Sequence, residues 1–127
     1  MIPTPEQRDE LLKGFAKALF RRDLDALYEV VTPDFLWSFH DGLSVTKSLT
    51  GRTQILDHLD AQKELFSLQR FEDVVYHHCP DLSFMTCRID EILGATGEKR
   101  EQCGIELYRF RDGRLALKDV YRKPITV

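Results

Sequence analysis

Residues 101–123, EQCGIELYRFRDGRLALKDVYRK, contain the pattern that decides the fold. Two runs rich in Ile, Leu, Tyr, Phe and Val flank residues 111–114, and the Asp-Gly pair at their centre is typical of a tight turn between two strands. We therefore predict a long antiparallel hairpin in the last third of the chain. Its first strand carries Glu106 inside an apolar run, where ionisation is costly without a partner or a ligand. Glu106 is thus the first candidate functional residue.

Strand-type alternation also precedes the hairpin. It predicts strands over residues 71–78 and 82–93, and it extends the first strand of the hairpin back to residue 98. Short turns that contain Pro80 or a pair of glycines separate these segments. The second half of the chain is therefore predicted to be four consecutive antiparallel strands.

The N-terminal third has helical periodicity. Thr4 can cap a first helix, with Pro5 at its first position and Gln7 completing a capping box, and the helix is predicted to end at residues 21–22. Asp23 can cap a second, shorter helix, which Pro33 stops.

An aromatic segment, residues 35–40, follows these helices and is predicted to be a strand. Its odd positions, which include Trp37 and Phe39, share one face, and Asp41 continues that face into the next turn. Residues 41–49 are predicted to be a polar loop. A third helix then opens at residue 50 or 51 and carries Leu56 and Leu59 on its apolar side. Helices gathered on one side of a curved antiparallel sheet make an α+β domain with a conical interior.

Composition narrows the class of protein. The chain has 127 residues, of which 43% are hydrophobic and 31% charged, which suits one domain spanning residues 1–127. The net charge of −3, with both signs interspersed, gives no electrostatic footprint for nucleic acid or an anionic membrane. With no basic leader and no long apolar run at the start, we expect a cytoplasmic protein.

The cysteines, histidines and glycines of the chain do not have the spacing of a metal site or a phosphate-binding loop. Cys79, Cys87 and Cys103 lack metal-type spacing and are expected to be reduced thiols. His77 and His78 are adjacent on a strand, so they point to opposite faces, although one of them could line a pocket. No glycine-rich phosphate loop is present. We expect neither a metal nor another cofactor.

These segments, taken in order, resemble the NTF2-like superfamily, and within it the SnoaL-like and ketosteroid isomerase-like proteins. The resemblance rests on residues 22–27 (RDLDAL), the aromatic strand, LTGR at 49–52 and FRDGRL at 110–115. It implies a conical fold, a small and mostly apolar ligand inside the cone, and a homodimer formed through the outer sheet face.

The resemblance transfers little of the isomerase machinery. The family's helix-1 tyrosine falls on Phe15 and its proton-shuttling aspartate falls on Phe39, and a phenyl ring can neither shuttle protons nor donate to an oxyanion. The second oxyanion-hole acid falls on Glu106. The resemblance also implies that the catalytic aspartate of the SnoaL-type cyclases lies on the last strand. Asp119 and Lys123 lie near that position, but neither clearly matches the aspartate.

The remaining chemistry centres on Glu106 in an aromatic pocket. Desolvation there would raise its pKa towards working pH, so that it could act as an acid or base, with Asp41 as its partner near the mouth. The alternative is a structural ion pair with Lys118 or Arg122. The predicted pocket wall is Phe15, Trp37, Phe39, Leu56, Leu59, Tyr108 and Lys118.

The orientation of the last strand stays open. The odd set of residues, 115 to 121, is the more apolar, but alignment on Gly113 turns the even set, which includes Lys118, towards the interior. Lys118 there would suggest an acidic or enolate-like ligand.

Three functions are compatible with these features. The first is a cofactor-independent enzyme (isomerase, cyclase or dehydratase class) acting on an apolar carbonyl or polyketide-like compound. The second is a non-catalytic binding protein for a small apolar ligand, and the third is an interaction subunit of a larger enzyme.

Overall fold

The computed structural model describes residues 2–40 and 45–125. This part of the chain contains three helices and six strands, in the order α1 (Pro5–Arg21), α2 (Leu24–Val30), β1 (Val31–His40), β2 (Val45–Thr50), α3 (Gly51–Leu65), β3 (Phe66–His78), β4 (Ser83–Leu93), β5 (Lys99–Arg111) and β6 (Arg114–Pro124). The strands form one sheet in the order β2-β1-β6-β5-β4-β3. The helices pack against this open sheet, which confirms the predicted α+β fold. The sheet is mixed because β1 pairs with β6 in parallel.

The first two helices begin where the sequence predicts. The Thr4 side chain accepts a hydrogen bond from the Gln7 backbone N–H, and the Gln7 side chain accepts one from the Thr4 N–H, so the capping box is complete. The Asp23 side chain accepts from the Ala26 N–H at the start of α2. These caps satisfy backbone donors that have no partner inside the helix. Both predicted N-termini are confirmed.

The segment predicted to be a polar loop, residues 41–49, is a strand in its second half. Residues 45–50 form β2, which pairs antiparallel with β1 at one edge of the sheet. An edge strand is covered on fewer sides than a central strand, so it can be polar in composition. In β2 only Leu49 is buried among residues 47–50. The loop prediction was therefore wrong for residues 45–49.

The predicted C-terminal hairpin is confirmed. β5 and β6 pair antiparallel up to Arg111 and Arg114, and the two residues between them have positive φ, 54° at Asp112 and 73° at Gly113. Two consecutive positive φ values match the twist of the flanking strands, and Asp-Gly adopts them at low cost.

A β-bulge at Ala116 resolves the ambiguity of the last strand. Phe110 pairs with Leu115 whereas Arg109 pairs with Leu117, so Ala116 is an extra residue on β6. An extra residue reverses which side chains face inward. Leu115 is therefore buried before the bulge, and Lys118 and Val120 are buried after it. Each of the two alternating patterns holds for part of the strand.

Arg8 joins α1 to the turn between β3 and β4. Arg8 is 3% exposed. Its guanidinium donates to the backbone carbonyls of Pro3, Cys79, Pro80 and Leu82 at 2.6–3.0 Å, and to Ser83 Oγ at 3.1 Å. The arginine thereby satisfies carbonyls that a turn leaves without strand partners. The sequence pattern gave no indication of this contact.

Apolar side chains from both layers form the core between helices and sheet. Its fully buried members include Leu12, Leu27, Phe35, Ile55 and Ile89. Within residues 2–40 and 45–125, no helix combines the length and the apolar composition needed to cross a bilayer.

Candidate functional site

A cavity of about 490 Å³ lies between α1, α3 and the sheet. Its lining is mainly aromatic and aliphatic, with a small polar group set on one wall. The apolar part consists of Phe15, Ala16, Leu19, Phe20, Trp37, Phe39, Leu59, Phe71, Val74, Tyr76, Met85 and Tyr108. The polar part consists of His58, Gln62, Gln69, Glu106, Lys118 and Arg122. A concave apolar site with a few polar groups is the usual form of a small-molecule site.

Irregularities in the strands place several of these side chains. Phe71 and Val74 are three residues apart and would face opposite sides of a regular strand. The register of β3 against β4 shifts between Glu72 and Val75, and Asp73 has φ 54°. This bulge brings both Phe71 and Val74 to the cavity. Phe20, 90% exposed, lies at its mouth.

Glu106 lies on the polar wall and is 3% exposed. Its Oε1 accepts from the Tyr108 hydroxyl at 2.6 Å and from Lys118 Nζ at 3.3 Å, and its Oε2 is 3.8 Å from Arg122 Nη2. Glu106 pairs with Val120, so Lys118 and Arg122 flank it from the neighbouring strand on the same face. The carboxylate therefore both lines the cavity and forms an ion pair, which joins the two alternatives of the sequence analysis.

The pKa of Glu106 is lowered, contrary to the predicted increase. Burial opposes ionisation, but the positive charge of Lys118, the Tyr108 hydrogen bond and the charge of Arg122 together outweigh it. The prediction considered the apolar wall alone and omitted the cations that β6 brings to it. Glu106 is consequently a carboxylate at neutral pH, available as a base or as an anion partner.

Lys118 is held by aromatic rings as well as by Glu106. Its Nζ lies 4.2 Å from the centroid of the Trp37 ring and 5.2 Å from that of Phe15. A cation over an aromatic face is stabilised by the ring quadrupole. Burial nevertheless lowers the pKa of the Lys118 ammonium; Glu106 opposes this change and Arg122 adds to it.

His58 is a cavity residue that the sequence analysis missed. Its ring packs against Trp37 and Phe39, with centroids 5.1 and 5.2 Å apart, and Lys47 Nζ donates to its Nδ1 at 2.9 Å. Burial, followed by the charges of Lys47, Lys118 and Arg122, lowers its pKa to about 4. His58 is thus neutral at pH 7, and because Nδ1 accepts, its proton lies on Nε2. The three-residue step from buried Ile55 was the signal that could have indicated it.

Trp37 lines the cavity with its ring and has a buried hydrogen-bond donor that no described residue uses. It is 5% exposed and lines the cavity, yet its Nε1–H has no hydrogen-bond partner among the described residues. Buried polar groups without partners are uncommon in folded proteins. Because this nitrogen is itself fully buried, a ligand in the cavity would contact the indole ring and not this donor.

Other predicted site residues lie elsewhere. Leu56 does not contribute to the described lining of this cavity, because it follows Ile55 by one helical step and turns to a second depression with Leu24 and Arg52. Asp41 lies outside the described residues. The remaining predicted wall residues, Phe15, Trp37, Phe39, Leu59, Tyr108 and Lys118, line the cavity together.

The histidine pair does not contribute to the described lining. His77 stacks on Phe84, and His78 hydrogen-bonds to Asp9 and Ser83. Cys79, Cys87 and Cys103 are free thiols. In the described part of the chain no three His, Cys, Asp or Glu side chains converge to hold a metal ion.

A family model for the SnoaL-like domain matches residues 12–117, which is most of the chain and includes the cavity wall except Lys118 and Arg122. The chain belongs to the SnoaL-like domain family. Comparison with the curated proteins gave no match.

Solved structures share the fold at low sequence identity. An NTF2-like protein from Burkholderia xenovorans is 14% identical with a TM-score of 0.82, covering 94% of this chain and 92% of its own. A protein from Xanthomonas campestris proposed to be a polyketide cyclase is 15% identical with a TM-score of 0.73, covering 91% and 90%. A proposed isomerase from Bacillus subtilis is 20% identical with a TM-score of 0.70, covering 93% and 87%. These similarities establish the NTF2-like fold of this SnoaL-like protein.

Proposed function

We propose that this SnoaL-like protein is a cofactor-independent enzyme that binds a small, mostly apolar carbonyl compound in the cavity and moves a proton on it with Glu106. The observation that carries the proposal is a buried carboxylate on the wall of an aromatic cavity. The reaction class is an isomerisation, cyclisation or dehydration, and the first two agree with the activities proposed for the similar Bacillus and Xanthomonas proteins.

The polar wall supplies complementary groups for such a substrate. Glu106, ionised at neutral pH, would accept a proton from the carbon next to the carbonyl group. The neutral imidazole of His58, which carries its proton on Nε2, would donate to the carbonyl oxygen as it gains negative charge. Lys118 and Arg122 make the wall cationic, which favours a substrate or intermediate with an anionic oxygen.

The second candidate function is non-catalytic binding of the same class of ligand. One observation favours it: Glu106 already has three polar neighbours, Tyr108, Lys118 and Arg122, and a carboxylate with a lowered pKa is a weak base. In this case the ion pair orders the cavity wall, and no proton is transferred between Glu106 and the ligand.

Binding and turnover separate these candidates. Trp37, the only tryptophan, lies in the cavity, so its fluorescence reports ligand entry. A panel of aromatic and alicyclic ketones and aldehydes is titrated into the protein, and Ala16→Phe, at the lining, is expected to abolish the response. Ala61→Phe, on an exposed position of α3 outside the described lining, is the matched control.

A carbonyl compound that binds is then tested for exchange of its α-protons in deuterium oxide. Glu106→Gln is expected to lower the exchange rate by about 10²–10⁴-fold while binding persists. Glu101→Gln, an exposed position of the same strand, should leave the rate unchanged. Binding without exchange would support the non-catalytic candidate, and absence of binding across the panel would contradict both.

A homodimer through the outer sheet face is also proposed. Val75, Thr86, Ile105 and Tyr121 are successive cross-strand partners from β3 to β6, so they share one face. Three of them are exposed and have apolar or aromatic side chains, at 49%, 47% and 38% for Val75, Ile105 and Tyr121. Light scattering should give a dimer mass that Ile105→Lys reduces to that of a monomer; a monomeric wild type would contradict it.

The cytoplasmic location stays a prediction.

A further inference from the structure

The geometry points to Lys118 as a nucleophile that forms a Schiff base with a carbonyl compound held in the cavity. This inference rests on the proposed function, because it requires a carbonyl ligand at that site. It names a covalent step that the acid/base proposal does not contain.

Lys118 differs from every other lysine of the chain. The side chain is 8% exposed and lines the cavity, whereas the other six lysines are exposed at the surface. Its Nζ lies 4.2 Å from the centroid of the Trp37 ring and 5.2 Å from that of the Phe15 ring, so water has little access to the amine. Burial of the amine favours loss of its proton, whereas the rings and Glu106 stabilise the ammonium, and only the neutral amine attacks a carbonyl carbon.

The charged and titratable groups around Lys118 come from four elements. Glu106 and Tyr108 lie on β5, Arg122 on β6 itself, His58 on α3 and Cys87 on β4. Burial lowers the pKa of Lys118; Glu106 opposes that change and Arg122 adds to it. His58 is neutral and adds no positive charge.

Glu106 is placed to carry the protons of the reaction. Its Oε1, 3.3 Å from Nζ, accepts a proton from the ammonium. The amine lone pair then forms a bond to the carbonyl carbon while the C=O π pair moves to oxygen, which takes that proton to give a carbinolamine. Nitrogen returns a second proton to Glu106, which passes it to the hydroxyl group as this leaves as water. In sum, one ammonium and one carbonyl give one protonated imine and one water.

The covalent step would also explain how a carboxylate with a lowered pKa can remove a carbon-bound proton. A protonated imine draws electrons from the adjacent carbon more strongly than a ketone does, so a weaker base suffices. The aromatic rings that face the ammonium would face the iminium cation as well. Arg122 lines the cavity and its side chain is 24% exposed, so its guanidinium remains available to an anionic group of the substrate.

Reductive trapping tests the inference on the whole protein. Benzaldehyde and sodium cyanoborohydride at pH 7 convert an imine into a stable benzylamine, which peptide mass spectrometry assigns to a residue. We expect labelling of Lys118 to be at least about tenfold faster than that of any exposed lysine, whose neutral fraction at this pH is about one in a thousand or less. Lys118→Met should remove this fast adduct, and Lys123→Met, an exposed position on the same strand, should leave it in place.

Two results would overturn the inference. Adducts spread over the exposed lysines with Lys118 unmodified would exclude a reactive Lys118, and this measurement needs no variant to fold. If benzaldehyde also changes Trp37 fluorescence, and Ala16→Phe suppresses the change, ligand binding stands and only the Schiff base fails. If neither the fluorescence change nor the adduct appears, the proposed function and the covalent step both fail for this carbonyl probe.

Discussion

Removal of the buried charge of Glu106 should destabilise the protein strongly, and removal of its partner in addition should restore much of the loss. Glu106→Gln keeps the side-chain shape and an acceptor for Tyr108, but it leaves Lys118 without its carboxylate. The two side chains are 4% and 8% exposed, so solvent screens the pair little. Breaking a buried ion pair by one partner costs about 3–5 kcal/mol, and because Lys118 can lose its proton we expect about 3 kcal/mol.

The double variant makes the test specific. Lys118→Met replaces the ammonium by an apolar group of similar length, so Glu106→Gln/Lys118→Met should lie within about 1 kcal/mol of the wild type, since apolar replacements of buried pairs are often neutral. The cycle also needs Lys118→Met alone, and because that variant should not be more stable than the wild type, the coupling free energy should be at least about 2 kcal/mol. For a chain of 127 residues, the single variant should melt about 10 °C lower.

Urea unfolding at pH 7, followed by circular dichroism, gives each free energy of unfolding. Glu101→Gln is the control, because Glu101 is exposed on the same strand and should change stability by no more than about 0.5 kcal/mol. A Glu106→Gln variant as stable as the control, or a double variant no better than the single one, would refute the ion-pair description of the site.

Three further predictions concern stability. Arg8→Met should cost about 3 kcal/mol or more in urea unfolding, because it removes the guanidinium donor from the carbonyls of Pro3, Cys79 and Pro80; a loss below about 1 kcal/mol would show that water replaces the guanidinium. Gly113→Val should cost about 1–3 kcal/mol, since a β-branched residue is strained at φ 73°, and an unchanged melting temperature would contradict the turn assignment. The folded-state pKa of Glu106 is lowered, so its contribution to stability is complete above the unfolded pKa of about 4.3 and is lost as pH falls through the folded value. Between about pH 5 and 2, the wild type should therefore lose more free energy of unfolding than Glu106→Gln does, and parallel pH profiles would exclude this contribution.

Local sequence signals predicted the elements whose structure depends on a few residues that are adjacent in the sequence. The capping box at Thr4 and the Asp-Gly turn at residues 112–113 each satisfy or shape their own backbone, so their geometry follows from a few residues. β2 was missed because the strand at an edge depends on pairing with β1 rather than on its own apolar pattern. The Ala116 bulge was missed for a similar reason, since one extra residue leaves the composition of a strand unchanged.

The position of the site could be predicted from the sequence, but the charges around Glu106 and its pKa could not. The aromatic face of β1 and the exceptional Glu106 were visible as patterns within single strands. The lowered pKa of Glu106 depends on Lys118 and Arg122, whose orientation the bulge determines, and His58 became a wall residue through the packing of α3. Charges on different elements combine only in the folded chain, so their balance could not be obtained from the spacing of residues.

The cavity between α1, α3 and the sheet is proposed to receive a carbonyl compound against Glu106 and Lys118. The decisive measurement of this claim is a crystal structure grown with a compound that changes Trp37 fluorescence. We predict electron density inside the cavity, with a ligand oxygen or an imine carbon next to Lys118 Nζ and the Trp37 ring. Ligand density elsewhere on the surface, with the cavity filled by the Phe20 and Phe71 rings or with Glu106 turned into solvent, would contradict the claim.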